Sequence, residues 1–152
     1  MKKLYTLAIT SAIALSIAGC AGGSSNLSPA DAAKIDPNNV CNITKDNTLE
    51  TVLANAKAYN AMAIKEKVEF RRLNVNNSDL IASIGEALAS GKMQVNPVHF
   101  KSKPEKIKRS KTKLEINYAT ERACKFGLAA LTQKHEAEST YRQAIPGDGF
   151  KY

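Results

Sequence analysis

Residues 47–73 read NTLETVLANAKAYNAMAIKEKVEFRRL, and this stretch decides the fold. Its apolar or small residues recur at the spacing of a helix that buries one face. They are Leu49, Val52, Leu53, Ala56, Tyr59, Ala63, Phe70 and Leu73. Asn47, with Glu50 three residues on, has the pattern of a capping box, so the sequence predicts one long helix that begins there. An alternative makes 67–75 a strand, because its apolar residues alternate with polar ones.

Two further helices are predicted downstream. Ser78 or Asp79 can cap the second helix, and Gly91 is suited to end it in a left-handed conformation. The apolar residues on one side of this helix are Leu80, Ile81, Ile84, Ala87 and Leu88. A third helix continues to about Ala144, with a stripe of Ala119, Ala123, Phe126, Ala130, Ala137 and Tyr141. Between these helices, 93–100 is expected to be extended or irregular, and 114–118 a short strand or a lead-in to the third helix.

The amino-terminal segment has the pattern of an export signal. Two lysines precede an uncharged apolar run at 4–18, which has the length of a signal-peptide core and is short for a membrane span of roughly 20 residues. The run ends in Ile17-Ala18-Gly19-Cys20, which resembles the lipobox of bacterial lipoproteins. The resemblance covers residues 1–20 only. It implies cleavage before Cys20, a thioether-linked diacylglycerol on that cysteine and acylation of the new amino terminus.

The predicted organisation is a signal peptide at 1–19, a lipidated cysteine and flexible tether at 20–28, and a single globular domain at 29–152. The small residues after Cys20 are typical of a flexible tether. Ala21 follows the cysteine where an aspartate tends to retain lipoproteins in the inner membrane. By resemblance to that sorting rule, we expect attachment to the outer membrane, with the domain on the periplasmic face.

The cysteine count adds a constraint on the domain. With Cys20 acylated, Cys41 and Cys124 remain in an oxidising compartment, so we predict one disulfide between them rather than two free thiols. Such a bond brings together the amino-terminal ends of the first and last long helices. The sequence thus predicts a mainly α fold, a small three-helix up-down-up bundle stapled by the disulfide. The alternative is an α+β domain with a small sheet near 67–75, 93–100 and 113–118.

The charge balance favours anionic neighbours. The chain carries a formal net charge of +8, and export makes nucleic acid a poor partner. The most concentrated charge is a basic segment at 101–113, opposed only by Glu105, and Arg109 within it can grip a phosphate or carboxylate in bidentate fashion. Its cations are Lys101, Lys103, Lys106, Lys108, Arg109, Lys111 and Lys113. The segment is predicted to contact lipid headgroups, lipopolysaccharide, acidic glycan or a protein partner, or else to be a solvated loop.

No motif indicates catalysis. There is no Gly-x-Ser-x-Gly motif and no unpaired cysteine beside a histidine, while His99 and His135 lack the spacing of metal ligands. We therefore expect a non-enzymatic protein without metal or cofactor. The predicted function is an accessory or scaffolding subunit of an envelope assembly, such as a secretion, pilus or conjugation apparatus. The alternative is a binding module for anionic envelope polymers through 101–113. The sequence leaves the oligomeric state open.

Overall fold

A computed structural model describes residues 27–99 and 106–144. This part of the chain is mainly helical, with two small antiparallel sheets, so the predicted mainly α class is confirmed. The elements in chain order are α1 (Pro29–Ala32), α2 (Pro37–Cys41), α3 (Leu49–Lys65), β1 (Arg71–Arg72), β2 (Val75–Asn76), α4 (Asn77–Ala89), β3 (Gln94–Val95), β4 (Leu114–Glu115) and α5 (Ile116–Ala144). The predictions for Cys20, Lys101 and Lys103 concern positions outside these described residues.

The helix starts follow ordinary capping chemistry, with two differences from expectation, at α3 and α4. Ser28 caps α1 and Asp36 caps α2, each followed by a proline at the first helical position. Asn47 was predicted to cap α3, but Thr48 does so, through its side-chain oxygen and the backbone N–H of Thr51. The Asn47 amide instead donates to two backbone carbonyls of the preceding loop, which ties α2 to the start of α3. Ser78 or Asp79 was predicted to cap α4, but Asn76 is its N-cap and Asp79 completes the capping box from the third helical position.

The prediction that α3 continues past residue 67 is wrong. The helix ends at Lys65, and Lys67 adopts a positive φ of 61°. The N–H of Lys67 donates to the Ile64 carbonyl and that of Val68 to the Ala63 carbonyl, which is the Schellman pattern. No glycine marks the end of the helix at Lys65. Because the apolar residues after it keep a helical spacing, the sequence wrongly predicted that the helix continues.

The 71–76 region forms a hairpin rather than helix. Strands β1 and β2 pair antiparallel around Leu73 and Asn74, both with positive φ, as in a two-residue type I′ turn. A second sheet pairs β3 with β4. The strand positions of the α+β alternative therefore do carry strands, but of two residues each and in two separate sheets. Helix α5 begins directly after β4.

Helices α3 and α5 make the closest contact in the core. The backbone of Gly127 approaches Tyr59 so closely that an added Cβ would lie 2.9 Å from the Tyr59 Cβ. An equal number of residues further along both helices, Lys134 Nζ lies 2.6 Å from a carboxylate oxygen of Glu66. Contacts that advance together along both chains show that α3 and α5 run parallel.

Helix α4 packs against the amino-terminal half of α5. Its first residue, Asn77, is 1% exposed and donates a side-chain hydrogen bond of 2.9 Å to the Ala123 carbonyl. Beyond the end of α4, the Met93 carbonyl accepts from the N–H of Ile116, at the start of α5. Helix α4 therefore runs opposite to α5. Its carboxyl end is a second Schellman motif with Gly91 at φ 63°, as predicted.

The predicted disulfide is present. Cys41 and Cys124 are fully buried and bonded, with their Cα atoms 5.5 Å apart. The bond joins the end of α2 to the first third of α5, and the Ile43 N–H donates to the Glu121 carboxylate beside it. Every buried apolar residue of the described core lies between Ala32 and Leu131.

Candidate functional site: an arginine-lined apolar cleft

One concavity of the described residues is a cleft of about 270 Å³. It lies between the β1–β2 hairpin, the start of α4, the strand region before α5 and the amino-terminal half of α5. We call it the aromatic cleft. Its lining residues are Phe70, Arg72, Leu73, Val75, Asn76, Asn77, Leu80, Pro97, Ser110, Thr112, Leu114, Tyr118, Arg122 and Phe126. Since a cavity of about 150 Å³ holds benzene, this space admits a ring or a short alkyl chain with further atoms.

Helix α5 contributes one wall of the cleft. Tyr118, Arg122 and Phe126 recur every four residues, which places them on one face of the helix. The Arg122 guanidinium lies over both neighbouring rings, 5.3 Å from the Tyr118 centroid and 4.8 Å from that of Phe126. It also donates to the Tyr118 hydroxyl at 2.5 Å. These contacts hold the guanidinium against aromatic faces by cation–π attraction.

The hairpin and the residue before it extend this wall. The Phe70 ring stacks on that of Phe126 with centroids 4.1 Å apart and an interplanar angle of 12°. The Phe70 carbonyl accepts from the Asn77 N–H, which fastens the base of the hairpin to α4. Arg72 lines the cleft from β1, on the exposed side of the hairpin. The stacked rings thus join hairpin and helix into one continuous aromatic wall.

The charges in the cleft are all of one sign. Among the residues that the structure describes, its ionised lining residues are Arg72 and Arg122, and no aspartate or glutamate lines it. Within the described part of the chain, neither arginine has a carboxylate in salt-bridge range. An apolar space with two arginines and no acid suits an apolar group that bears a negative charge.

The lining residues are suited to binding rather than to proton transfer. No histidine, cysteine, lysine or carboxylic acid is among the described lining residues, so none of these has a side chain whose ordinary pKa lies near neutrality. His99 is half-buried and His135 is exposed on α5. Across residues 27–99 and 106–144, no three His, Cys, Asp or Glu side chains gather in a way that could hold a metal ion.

The basic segment lies beside the cleft, and its arginine is engaged within the protein. Arg109 donates to a Glu86 carboxylate oxygen at 2.7 Å and to the Asn96 carbonyl at 3.1 Å. The backbone of this segment pairs with 97–99, where the His99 N–H donates to the Lys108 carbonyl. The described lysines of the segment are all exposed: Lys106, Lys108, Lys111 and Lys113. The predicted anion-gripping arginine is therefore already bound to an acid.

Sequence reasoning missed the cleft, although one signal for it was present. Phe126 was assigned to the core stripe of α5, and Arg122 was not singled out. An arginine between two aromatic residues at four-residue spacing could have indicated a stacked ladder on one helix face. Phe70 and Arg72 carried no such signal, because their place in the cleft depends on the hairpin that replaced the expected helix.

Comparison with known proteins identifies no relative: no family model, curated protein or solved structure is significantly similar to the chain. Among the residues that the structure describes, no helix has both the length and the apolar content that a membrane span requires.

Proposed function

We propose that the protein is a membrane-anchored, non-enzymatic lipoprotein of the bacterial envelope that binds an anionic amphiphile in the aromatic cleft. By amphiphile we mean a ring or alkyl chain that carries an acidic group. The observation that carries the proposal is the pairing of an aromatic wall with Arg122 and Arg72 and no lining acid. The lipobox-like Ile17-Ala18-Gly19-Cys20 supports an acyl anchor on Cys20 at the outer membrane.

The proposed scaffold is an up-down-up bundle of α3, α4 and α5. The parallel contacts of α3 with α5 and the opposite direction of α4 support it. The disulfide holds α2 on α5 at the end where α3 starts. Such a frame keeps the α5 wall of the cleft rigid, which lowers the entropic cost of binding.

A role as accessory subunit of a secretion, pilus or conjugation apparatus stays a prediction, as does polymer binding through 101–113. Arg109 is paired with Glu86, whereas no described carboxylate pairs with Arg72 or Arg122. For this reason we propose the cleft, rather than the basic segment, as the binding site. The proposed ligand is anionic, so its binding also uses the attraction of anions by a basic protein.

A matched pair of fluorescent probes tests the proposal. Anilinonaphthalene sulfonate carries rings and an anion, while N-phenylnaphthylamine has the same rings without the sulfonate. Residues 21–152 should bind the sulfonate form about tenfold more tightly, since a charge-assisted contact contributes roughly 1.5–3 kcal/mol before its desolvation cost. Arg122→Gln should remove most of that preference and leave the affinity for the neutral probe within about twofold.

The control is Arg109→Gln, which removes the same charge from a residue that does not line the cleft. It should leave the preference for the sulfonate intact. A protein that binds both probes equally, or one in which the two arginine variants lose the preference equally, would contradict the proposed site. A partly unfolded variant is recognised by increased fluorescence with both probes.

A further inference from the structure

The tip of the β1–β2 hairpin displays an apolar side chain in a costly backbone conformation. Leu73 is 82% exposed, the most exposed large apolar residue that the structure describes. Its φ of 48° lies in the left-handed region, which costs a bulky L-residue roughly 1–2 kcal/mol. Asparagine or glycine is the usual choice at this position of a type I′ turn. Leucine therefore contributes little to the turn itself.

The hairpin holds this leucine in a defined place. The Arg71 guanidinium donates to the Asn76 side chain at 2.6 Å across the two strands. At the base, Phe70 is fixed by its stack on Phe126 and by the Asn77 N–H. The tip is therefore a rigid projection from the mouth of the aromatic cleft, since Leu73 itself lines that cleft.

Exposed cations adjoin this projection and the cleft along the chain. Arg72 precedes Leu73 on the same strand end. Thr112 lines the same cleft, and its neighbour Lys111 is exposed, whereas Lys113 lines a separate concavity with Lys92 and Met93. Tyr118, 47% exposed, completes the mouth with an apolar ring and a polar hydroxyl. Exposed apolar residues bordered by cations and a tyrosine have the composition of a membrane-interface contact.

We propose that the hairpin tip docks on an anionic lipid leaflet, with Leu73 below the headgroups and Arg72 and Lys111 among them. The inference deepens the proposed function, on which it rests for the ligand: the cleft would receive its amphiphile directly from the leaflet. A bilayer is favoured over a protein partner by charge complementarity with anionic headgroups and by the predicted acyl anchor. A tether of only 21–27 would keep the domain within a short distance of that surface.

Vesicle co-sedimentation of residues 21–152, which carry no acyl chain, tests the docking. Vesicles of equimolar phosphatidylglycerol and phosphatidylcholine should bind the protein, and vesicles of phosphatidylcholine alone should bind it much less. Leu73→Asn suits the turn and removes the apolar tip, so partitioning should fall by about tenfold or more. Arg72→Gln should reduce partitioning by about fivefold.

Ile64→Asn is the control, because Ile64 is also exposed and does not line the cleft. It should leave partitioning unchanged within about twofold. Equal partitioning of Leu73→Asn and Ile64→Asn, or equal binding to neutral and anionic vesicles, would overturn the docking. Loss of docking with an intact sulfonate preference refutes this inference alone, whereas loss of the sulfonate preference with intact docking refutes the proposed ligand site alone.

Discussion

Replacing Gly127 with alanine tests the closest helix contact of the core. An added Cβ would lie 2.9 Å from the Tyr59 Cβ and 3.1 Å from the Asn60 backbone nitrogen. Neither atom belongs to the flexible end of a side chain, so α3 and α5 must separate slightly. Overpacking of this kind typically costs about 1–3 kcal/mol, while alanine gains up to about 1 kcal/mol of helix propensity over glycine. We expect a net loss of free energy of unfolding.

Gly85→Ala is the matched control, because a Cβ on Gly85 in α4 would meet nothing within 4 Å. This variant should gain the propensity term without the clash. The difference between the two variants therefore isolates the overpacking cost, about 1–3 kcal/mol in favour of Gly85→Ala. Equilibrium urea unfolding of both variants and the parent protein measures this difference. If Gly127→Ala were as stable as Gly85→Ala, the close approach of α3 and α5 would be refuted.

Three further predictions concern stability. Replacing both Cys41 and Cys124 with alanine removes the disulfide. The chain-entropy model, for a sequence separation of 83, predicts that the free energy of unfolding falls by about 4 kcal/mol. Urea unfolding measures this loss, and a value below about 1 kcal/mol would contradict a structural role of the bond. Leu73→Asn should raise the free energy of unfolding by about 0.5–1 kcal/mol, because asparagine tolerates positive φ; a loss of stability in the same assay would contradict the strained turn. Lys134 lowers the pKa of Glu66 below its ordinary value of 4.5, mainly by a hydrogen bond. The pair therefore stabilises the folded state at pH values above 4.5, and this stabilisation is lost as the pH falls through the folded pKa of Glu66. The advantage of the native protein over Glu66→Gln should therefore shrink between pH 7 and pH 3, and a constant advantage would refute the pairing.

The helices and the disulfide could be predicted because their signals are local or obligatory. The spacing of Leu49, Val52 and Leu53 predicts α3 from neighbouring residues alone, and Gly91 ends α4 because glycine adopts positive φ at no steric cost. Two cysteines left in an oxidising compartment have one simple pairing. The end of α3 could not be predicted, since Lys67 takes a conformation that its side chain does not favour. Tertiary contacts of Val68 and Phe70 with the core compensate for that cost.

The cleft was harder to predict than the fold. The β1–β2 hairpin lines the cleft, but the helical spacing of 47–73 predicted a helix at that place. The cleft also brings together Phe70 and Phe126, which are far apart in the sequence. The basic segment was predicted to contact anions because its charges are adjacent in sequence. The structure pairs Arg109 with Glu86, an acid on α4 that sequence spacing gave no reason to place beside it. Charge density along a chain thus predicted exposure of the lysines, but not which arginine is available to a ligand.

The most direct test of the account is to locate the bound probe by nuclear magnetic resonance. Isotope-labelled residues 21–152 would be titrated with anilinonaphthalene sulfonate while the shift of every resolved backbone and aromatic signal is followed. The account predicts that the largest shifts and probe–protein contacts fall on Phe70, Tyr118 and Phe126, around Arg122. Contacts confined to the lysines of 106–111, with the rings of the cleft unaffected, would contradict it.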